Sequence, residues 1–318
     1  MTKVRSVCKA CIANLDRYQR NHHRAGFLYA TLKKYQEDEA GRRAALIAYY
    51  GFLALFPLLF VLTSALKLLL HNNLQLRNQI VHGAVTYFPV IGHDLQQNIH
   101  GIAKTGIALA IGLLLTAYGA RGVADVLRSG LDHIWQVPRS QRSSFPGSMF
   151  KSFSIIVVGG LGLVLAPVVA GYALVFGHNL FFNLLAVLLT LIVLFLVLVA
   201  VIKMSLSVGK PLRQIWVGAA VAAICLEILQ SLGGYIVARE LRNLDSLYGT
   251  FAIVLGLIYW LYIQSLVLFF VFELDSVRVF KLWPRSLQSP LTEADHRAFG
   301  LYVNRAKIHD ADDYRVIE

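Results

Sequence analysis

LFFNLLAVLLTLIVLFLVLVAVI, from Leu180 to Ile202, is a run of 23 residues with almost no polar side chain and no charge. As an α-helix rising 1.5 Å per residue it spans about 34 Å, enough to cross a hydrocarbon core of about 30 Å. A helix on the surface of a soluble core needs only one apolar stripe. This one is apolar all round, so the solvent it meets is lipid.

Outward from it, five more blocks read as spans. The first runs from about Ala44 to Leu70 and contains Pro57, where a kink is expected and a membrane helix tolerates one. The second covers about Gly106 to Ala120, its helix continuing beyond the bilayer to about Trp135. The third, Ser152 to Phe176, is Gly-rich, with Gly159, Gly160, Gly162 and Gly171. The fifth spans Ile215 to Ala238 and the sixth Thr250 to Phe272. Composition agrees: 57% of the 318 residues are hydrophobic and 15% charged, with mean hydropathy +0.59, against roughly 45–50% and about 25% in soluble domains. The expected fold is all-α, a polytopic membrane protein of six transmembrane helices with short amphipathic interfacial helices. It divides into a cytoplasmic amphipathic segment (1–43), the six-helix domain (44–278) and a cytoplasmic C-terminal tail (279–318).

A net charge of +12 in a soluble chain would point to nucleic acid. Here the distribution of the charge explains it better. The odd-numbered flanks (residues before span one, after spans two and four, and the tail) carry 25 Lys and Arg. The opposite flanks, with Lys67, carry five. The positive-inside rule then puts both termini in the cytoplasm. The first apolar block begins only near Ala44, and no signal peptide is visible before it.

Three cysteines make no disulfide framework. Cys225 sits within an apolar helix. Cys8 and Cys11 form a lone CxxC on the reduced side of the membrane, with His22 and His23 following. A metal knuckle normally shows a second clear ligand pair, so no metal or other cofactor is expected.

Outside the spans, Leu28, Leu32 and Tyr35 recur at i, i+4, i+7 beside Phe27, with Arg24, Lys33 and Lys34 around them. This helix lies either on an anionic membrane surface or against the protein's own cytoplasmic face. The outer connection, His71 to Thr105, carries two short amphipathic helices, the second capped by Asp94 with Gln97. Its His71, His82, His93 and His100 read as solvated interfacial side chains. After span two, Arg121, Asp125, Arg128 and Asp132 form one stripe of alternating charge. This reads as a salt-bridged helix emerging into water, or as Arg121 offering a cation to an anionic headgroup or substrate.

Ionisable groups at membrane depth are costly unless paired or facing a cavity. Glu227 lies mid-way along span five, with Gln230, Ser231 and Gly234 at +3, +4 and +7 and Ala220 and Ala223 upstream. It is either a neutral, hydrogen-bonded glue between helices or a proton or substrate site. In span six, Trp260 and Gln264 lie mid-span one turn apart and face the bundle, and Glu273 near the headgroups pairs with an inner basic residue. Glu227, Gln230, Arg121, Asp125, Trp260, Gln264 and Glu273 are the candidate substrate residues.

The stretch AALIAYYGFLALFPLL (Ala44–Leu59) resembles the A-Y-Y-x-x-x-S-x-F-P signature of the YihY/BrkB family of bacterial inner-membrane proteins, with Ala54 where serine is common. TAYGARGVADVLRSGLDHIWQVPRS (Thr116–Ser140) is similar to its second signature. LDSLYGTFAIVLGLIYWLYIQSLVLFFVFELDSV (Leu244–Val277) is similar to its third, with Phe270–Phe272 in place of the usual L-G-A before Glu273. The resemblance covers about residues 24–285 and implies six helices in the bacterial inner membrane. Some members carry the name ribonuclease BN, a label regarded as misassigned. One is linked to serum resistance, and a branch to export of lipopolysaccharide precursors. No catalytic residue is implied.

Three functions follow for comparison. The first is a transporter or flippase of an amphipathic, anionic lipid, with membrane lipids as partners, a homo-oligomer left open and no nucleic acid. The second is a non-transporting scaffold of the cell envelope. The third, a ribonuclease, needs carboxylates or histidines around a metal in a supported site. The only cytoplasmic cluster is His309, Asp310, Asp312 and Asp313 in a polar tail, so no enzyme is expected. No Walker motif is present to drive transport by ATP hydrolysis on this chain.

Overall fold

The computed structural model describes residues 13–69, 106–144, 146–175, 180–248, 251–287 and 289–307, with side chains for all of these except 56–69, 106–109, 163–164, 167–175, 180, 182–183, 234–248 and 251–253. Its principal helices are α1 (His23–Glu37), α2 (Ala40–Leu69), α3 (Gly106–Ile134), α4 (Gly147–Val175), α5 (Leu180–Ser205), α6 (Leu212–Tyr248), α7 (Phe251–Phe280) and α8 (Glu293–Ala306). No strand occurs among the described residues. Ala110–Ile134, Leu184–Ser205, Leu212–Gly233 and Val254–Phe280 are long and apolar enough to cross a membrane. Helices α2 and α4, of 30 and 29 residues, have the length as well, and a six-span arrangement is compatible with the whole set.

Each long helix packs on its neighbour in sequence, from α2 through α7, and α7 returns to α2 to close a ring. Inside lipid no hydrophobic force drives helices together, so close approach of small residues does much of the work. A Cβ built on Gly119 of α3 would lie 2.8 Å from the Ala54 backbone nitrogen and 2.9 Å from the Tyr50 carbonyl of α2. Gly233 of α6 lets the Trp260 ring of α7 lie against its backbone, and Gly162 of α4 receives Val197 of α5. Outside the ring, Leu114 (72% exposed), Leu184, Leu188 and Leu196 stand uncovered. Stacked leucines this exposed suit hydrocarbon and would be an aggregation hazard in water.

Two helix readings need correction. The C-terminal half of α3 is not a free-standing helix: Ala124, Leu127, Leu131, Asp132 and Ile134 are all buried, because α4, α5 and α7 pack against that face, while Arg121 stays 58% exposed. Span six does not stop at Phe272. Helix α7 runs about two turns further: Glu273 and Val277 are buried against the segments that precede α2 and follow α7, Asp275 against Gly218 of α6 and Ser276 against the end of α3. The chain read as a tail folds back as α8, whose Ala298 packs with Ala30, Val277 and Leu282. The kink at Pro57, the outer connection with its four histidines, Cys8 and Cys11, and the His309–Asp313 cluster lie outside the described residues or side chains.

Helix α1 resolves the two readings of its amphipathic pattern. Gly26, Ala30, Thr31 and Lys34 are its buried face, docked on α7 and α2. Leu28 and Leu32 are each 50% exposed on the opposite side. The helix is docked through small and polar residues with Phe27 and Tyr35 at the edges of that face, and Leu28 and Leu32 point away from the protein.

Candidate functional site

At one end of the ring, three helix ends meet and bring charge inside. Helix α3 ends in a left-handed residue, Gln136 (φ 54°), with Val137 N–H donating to the Asp132 carbonyl and Gln136 N–H to that of His133. This pair of bonds is a Schellman closure. Glu39 after α1 and Lys281 after α7 have φ of 53° as well. These sharp exits turn the chain so that Asp38 and Gln136 face the same interior as Glu273.

Lys34 sits at the centre with no exposed surface. Its ammonium donates to Asp38 Oδ2 at 2.6 Å, to Glu273 Oε2 at 2.6 Å and to the Ile134 carbonyl at 3.0 Å. An ammonium has three protons, and all three are used. Burial alone would lower the Lys34 pKa, but the charges of Glu273 and Asp38 override it and hold it above its usual value. Asp38 also accepts from Gln136 Nε2 at 3.1 Å and from Arg305 of α8 at 2.6 Å, with His133 Nε2 3.4 Å away. Burial would raise the Asp38 carboxyl, but Lys34 and the hydrogen bonds from His133 and Arg305 hold it far below the usual carboxylate range. Ser276 donates to the same Ile134 carbonyl at 2.9 Å, so an orphan acceptor at the end of α3 is doubly satisfied. Glu273 Oε1 is buried with no partner among the described residues.

A second network locks the C-terminal segment over this cluster. Asp295, fully buried, accepts from Arg285 Nε at 2.7 Å, Ser286 Oγ at 2.6 Å, Thr292 Oγ1 at 2.8 Å and Lys33 at 3.1 Å. Desolvation opposes its charge, but the bonds from Ser286, Arg285 and Thr292 keep its carboxyl well below the normal range. Arg285 also forks onto Glu37 Oε1 and Oε2, at 2.9 and 3.2 Å. Thr292 and Asp295 form a full capping box at the start of α8.

The candidate residues at membrane depth separate into two groups. On α6, Glu227 Oε2 and Gln230 Oε1 are buried without a partner among the described residues, and on α7 so is Trp260 Nε1. Trp260 is completely buried, and its ring contacts Gly233, one turn beyond Gln230 on α6. Helices α6 and α7 thus carry three buried polar atoms without partners among the described residues, and a polar atom left unpaired in a low-dielectric interior carries a desolvation cost. Gln264 is half-buried one turn beyond Trp260.

Arg121 and Asp125 are outside the α6–α7 seam. They pair at 3.5 Å with Arg121 58% exposed, and Arg128 lies 3.7 Å from Asp125. The stripe does not continue to Asp132, which instead accepts from the Ser207 N–H at 2.7 Å and Oγ at 2.6 Å. The α5–α6 connection takes the carboxylate because Asp132 is buried under it. Ser152 of α4 donates to Asp125 at 2.5 Å. Glu273 belongs to the Lys34 cluster and not to the seam.

Sequence reasoning expected a basic partner for Glu273 and could not name it. Lys34 reads as a solvated charge on an amphipathic helix, and no glycine marks the turns at Glu39 and Gln136. Asp295 is legible in the sequence, since Thr292-Glu293-Ala294-Asp295 has capping-box spacing. No curated protein and no solved structure matches the chain. The profile described as Virulence factor BrkB matches residues 31–283, a span that contains all three signature stretches, the α6–α7 seam and every hydrogen-bond partner of Lys34. With four-fifths of its length inside that match, this membrane protein belongs to the BrkB family.

Proposed function

We propose that this protein is a multi-pass transporter or flippase of the bacterial inner membrane, acting on an amphipathic, anionic lipid, with both termini in the cytoplasm. The observation that carries the reading is on helices α6 and α7, where Glu227, Gln230 and Trp260 hold buried polar atoms without partners among the described residues. Structural glue satisfies its own hydrogen bonds, whereas a transport site keeps donors and acceptors for what passes. Arg121, more than half exposed at one end of α3's charged stripe, is the cation suited to attract an anionic headgroup.

The test is lipid movement in proteoliposomes, or complementation of an envelope-lipid defect. Glu227→Gln keeps the shape and much of the hydrogen bonding, and Trp260→Phe keeps the ring on Gly233 while removing the N–H. Each is expected to cut transport about tenfold or more, the scale of one interior hydrogen bond to a charged or polar group, with expression unchanged. Full activity of Glu227→Gln, Trp260→Phe and Arg121→Ala together would remove the site and favour the scaffold reading.

The orientation rests on the ratio of 25 basic residues to five. Its support from packing is that Gln141, Lys210 and Lys307 line one cleft, so the connections after α3 and α5 share a side with the end of α8. Cysteine labelling is expected to find Lys9, Gln141, Lys210 and Asp310 inside and His93 and Asp245 outside. A terminus labelled from outside the cell would refute it. The reading is also non-enzymatic: the purified protein is expected to cleave RNA no faster than a mock preparation, and activity lost in His309→Ala or Asp310→Ala would revive the nuclease.

A further inference from the structure

Between α1 and the end of α7 lies a groove of about 440 Å³ lined by His23, Arg24, Phe27, Leu28, Arg278 and Trp283. Its wall is rigid. The Trp283 ring stands edge-on to His23 and Phe27, at centroid distances of 5.4 and 5.2 Å, and its Nε1 donates to His23 Nε2 at 2.9 Å. Two arginines flank this apolar wall, and no carboxylate lines it. Arg278 is held in place by Asp275 at 2.7 Å and the Gln214 carbonyl at 3.0 Å, leaving Nη1 without a partner among the described residues. Arg24 is exposed and makes no ion pair among them.

The surroundings fix the depth. Arg278 reaches the first turn of α6, where Leu212 and Trp216 are each 48% exposed. An exposed tryptophan at the end of a span marks the headgroup level. From the groove, the bare stripe of Leu28 and Leu32 continues along α1. Arginine beside an aromatic wall, at headgroup level, opening onto bare leucines, matches a lipid phosphate with its acyl chains below.

We propose that this groove binds one anionic phospholipid of the surrounding leaflet, its phosphate between Arg24 and Arg278 and its chains along Leu28 and Leu32. The volume lies in the roughly 300–1,000 Å³ range of small-molecule pockets, so it houses headgroup and glycerol while the chains lie outside. The inference rests on the membrane assignment and is independent of the transport reading, since none of its residues is in the α6–α7 seam. It also gives α1 a role: the small face docks on the protein and the leucine face on lipid.

Delipidated protein in detergent would be titrated with phosphatidylglycerol or phosphatidylcholine and read by native mass spectrometry. One phosphatidylglycerol is expected to be retained in clear preference to phosphatidylcholine. Arg24→Gln should weaken its retention about fivefold, the effect of one basic residue near an anionic surface. Leu28→Glu, at an exposed position that leaves the fold intact, should abolish it, while Arg42→Gln, 79% exposed on α2, should change nothing. Equal retention of the two lipids, no response to Arg24→Gln and Leu28→Glu, or an equal loss in Arg42→Gln would each overturn the proposal.

Discussion

Lys34→Met is expected to lower the unfolding free energy by roughly 3–5 kcal/mol, the usual consequence of removing one partner from a buried ion pair. The side chain is 0% exposed, and two carboxylates depend on it at 2.6 Å each. Arg305 and His133 still reach Asp38 after the substitution, but among the described residues Lys34 is the one ion-pair partner of Glu273. Its charge would stand in the interior with Oε1 already unpaired. Lys34→Arg does not repair the loss, because a planar five-donor group cannot take the place of a compact ammonium whose three bonds are all made. Adding Glu273→Gln to Lys34→Met removes the stranded charge and should recover part of the stability. Thermal or denaturant unfolding in detergent measures all three. Wild-type stability of Lys34→Met, or a double variant weaker than the single, would show that the pair is not what joins α1 to α7.

Gly119→Ala is expected to destabilise by about 1–3 kcal/mol, as overpacking does in a well-packed interior. The new Cβ would lie 2.7 Å from Ala54 Cβ and 2.8 and 2.9 Å from backbone atoms of α2. A flexible side chain could swing aside, but backbone cannot, so α2 and α3 must separate. Gly159→Ala is the control. Nothing lies within 4 Å of its Cβ position, and a mid-helix alanine is favoured over glycine by about 0.8–1.0 kcal/mol. The same chemical change should thus lower the melting temperature at one site and leave or raise it at the other. Equal effects would mean that the α2–α3 seam is not tightly packed in the membrane.

The α2–α3 seam also shows how far sequence reaches. Gly119 and Gly122 fall inside the stretch TAYGARG and both meet α2 residues of AYYGFLA, with Tyr50 against Gly122. The signatures mark a helix pair, but pairing itself is invisible in either segment read alone. The Glu227 face was legible because a carboxylate in an apolar run has no cheap explanation. On the next helix, Trp260 reads as bundle-facing from its mid-span position, though its partner Gly233 does not. Lys34 was not legible, since a lysine among other lysines on a polar helix is ordinarily solvated.

By itself, the sequence determined that the chain is helical and lives in lipid, because uninterrupted apolar runs leave no other way to satisfy backbone hydrogen bonds. It determined the family as well, through three signature stretches. What only the tertiary structure decided is where the charges go. Lys34 and Glu273 are 239 positions apart, and neither segment alone encodes the other's approach. Three left-handed turns without glycine, and a C-terminal helix folding back, bring them within 2.6 Å. A charge is tolerated in a dry interior only where its partner is delivered by the whole fold, and that delivery is a property of packing, which no local pattern records.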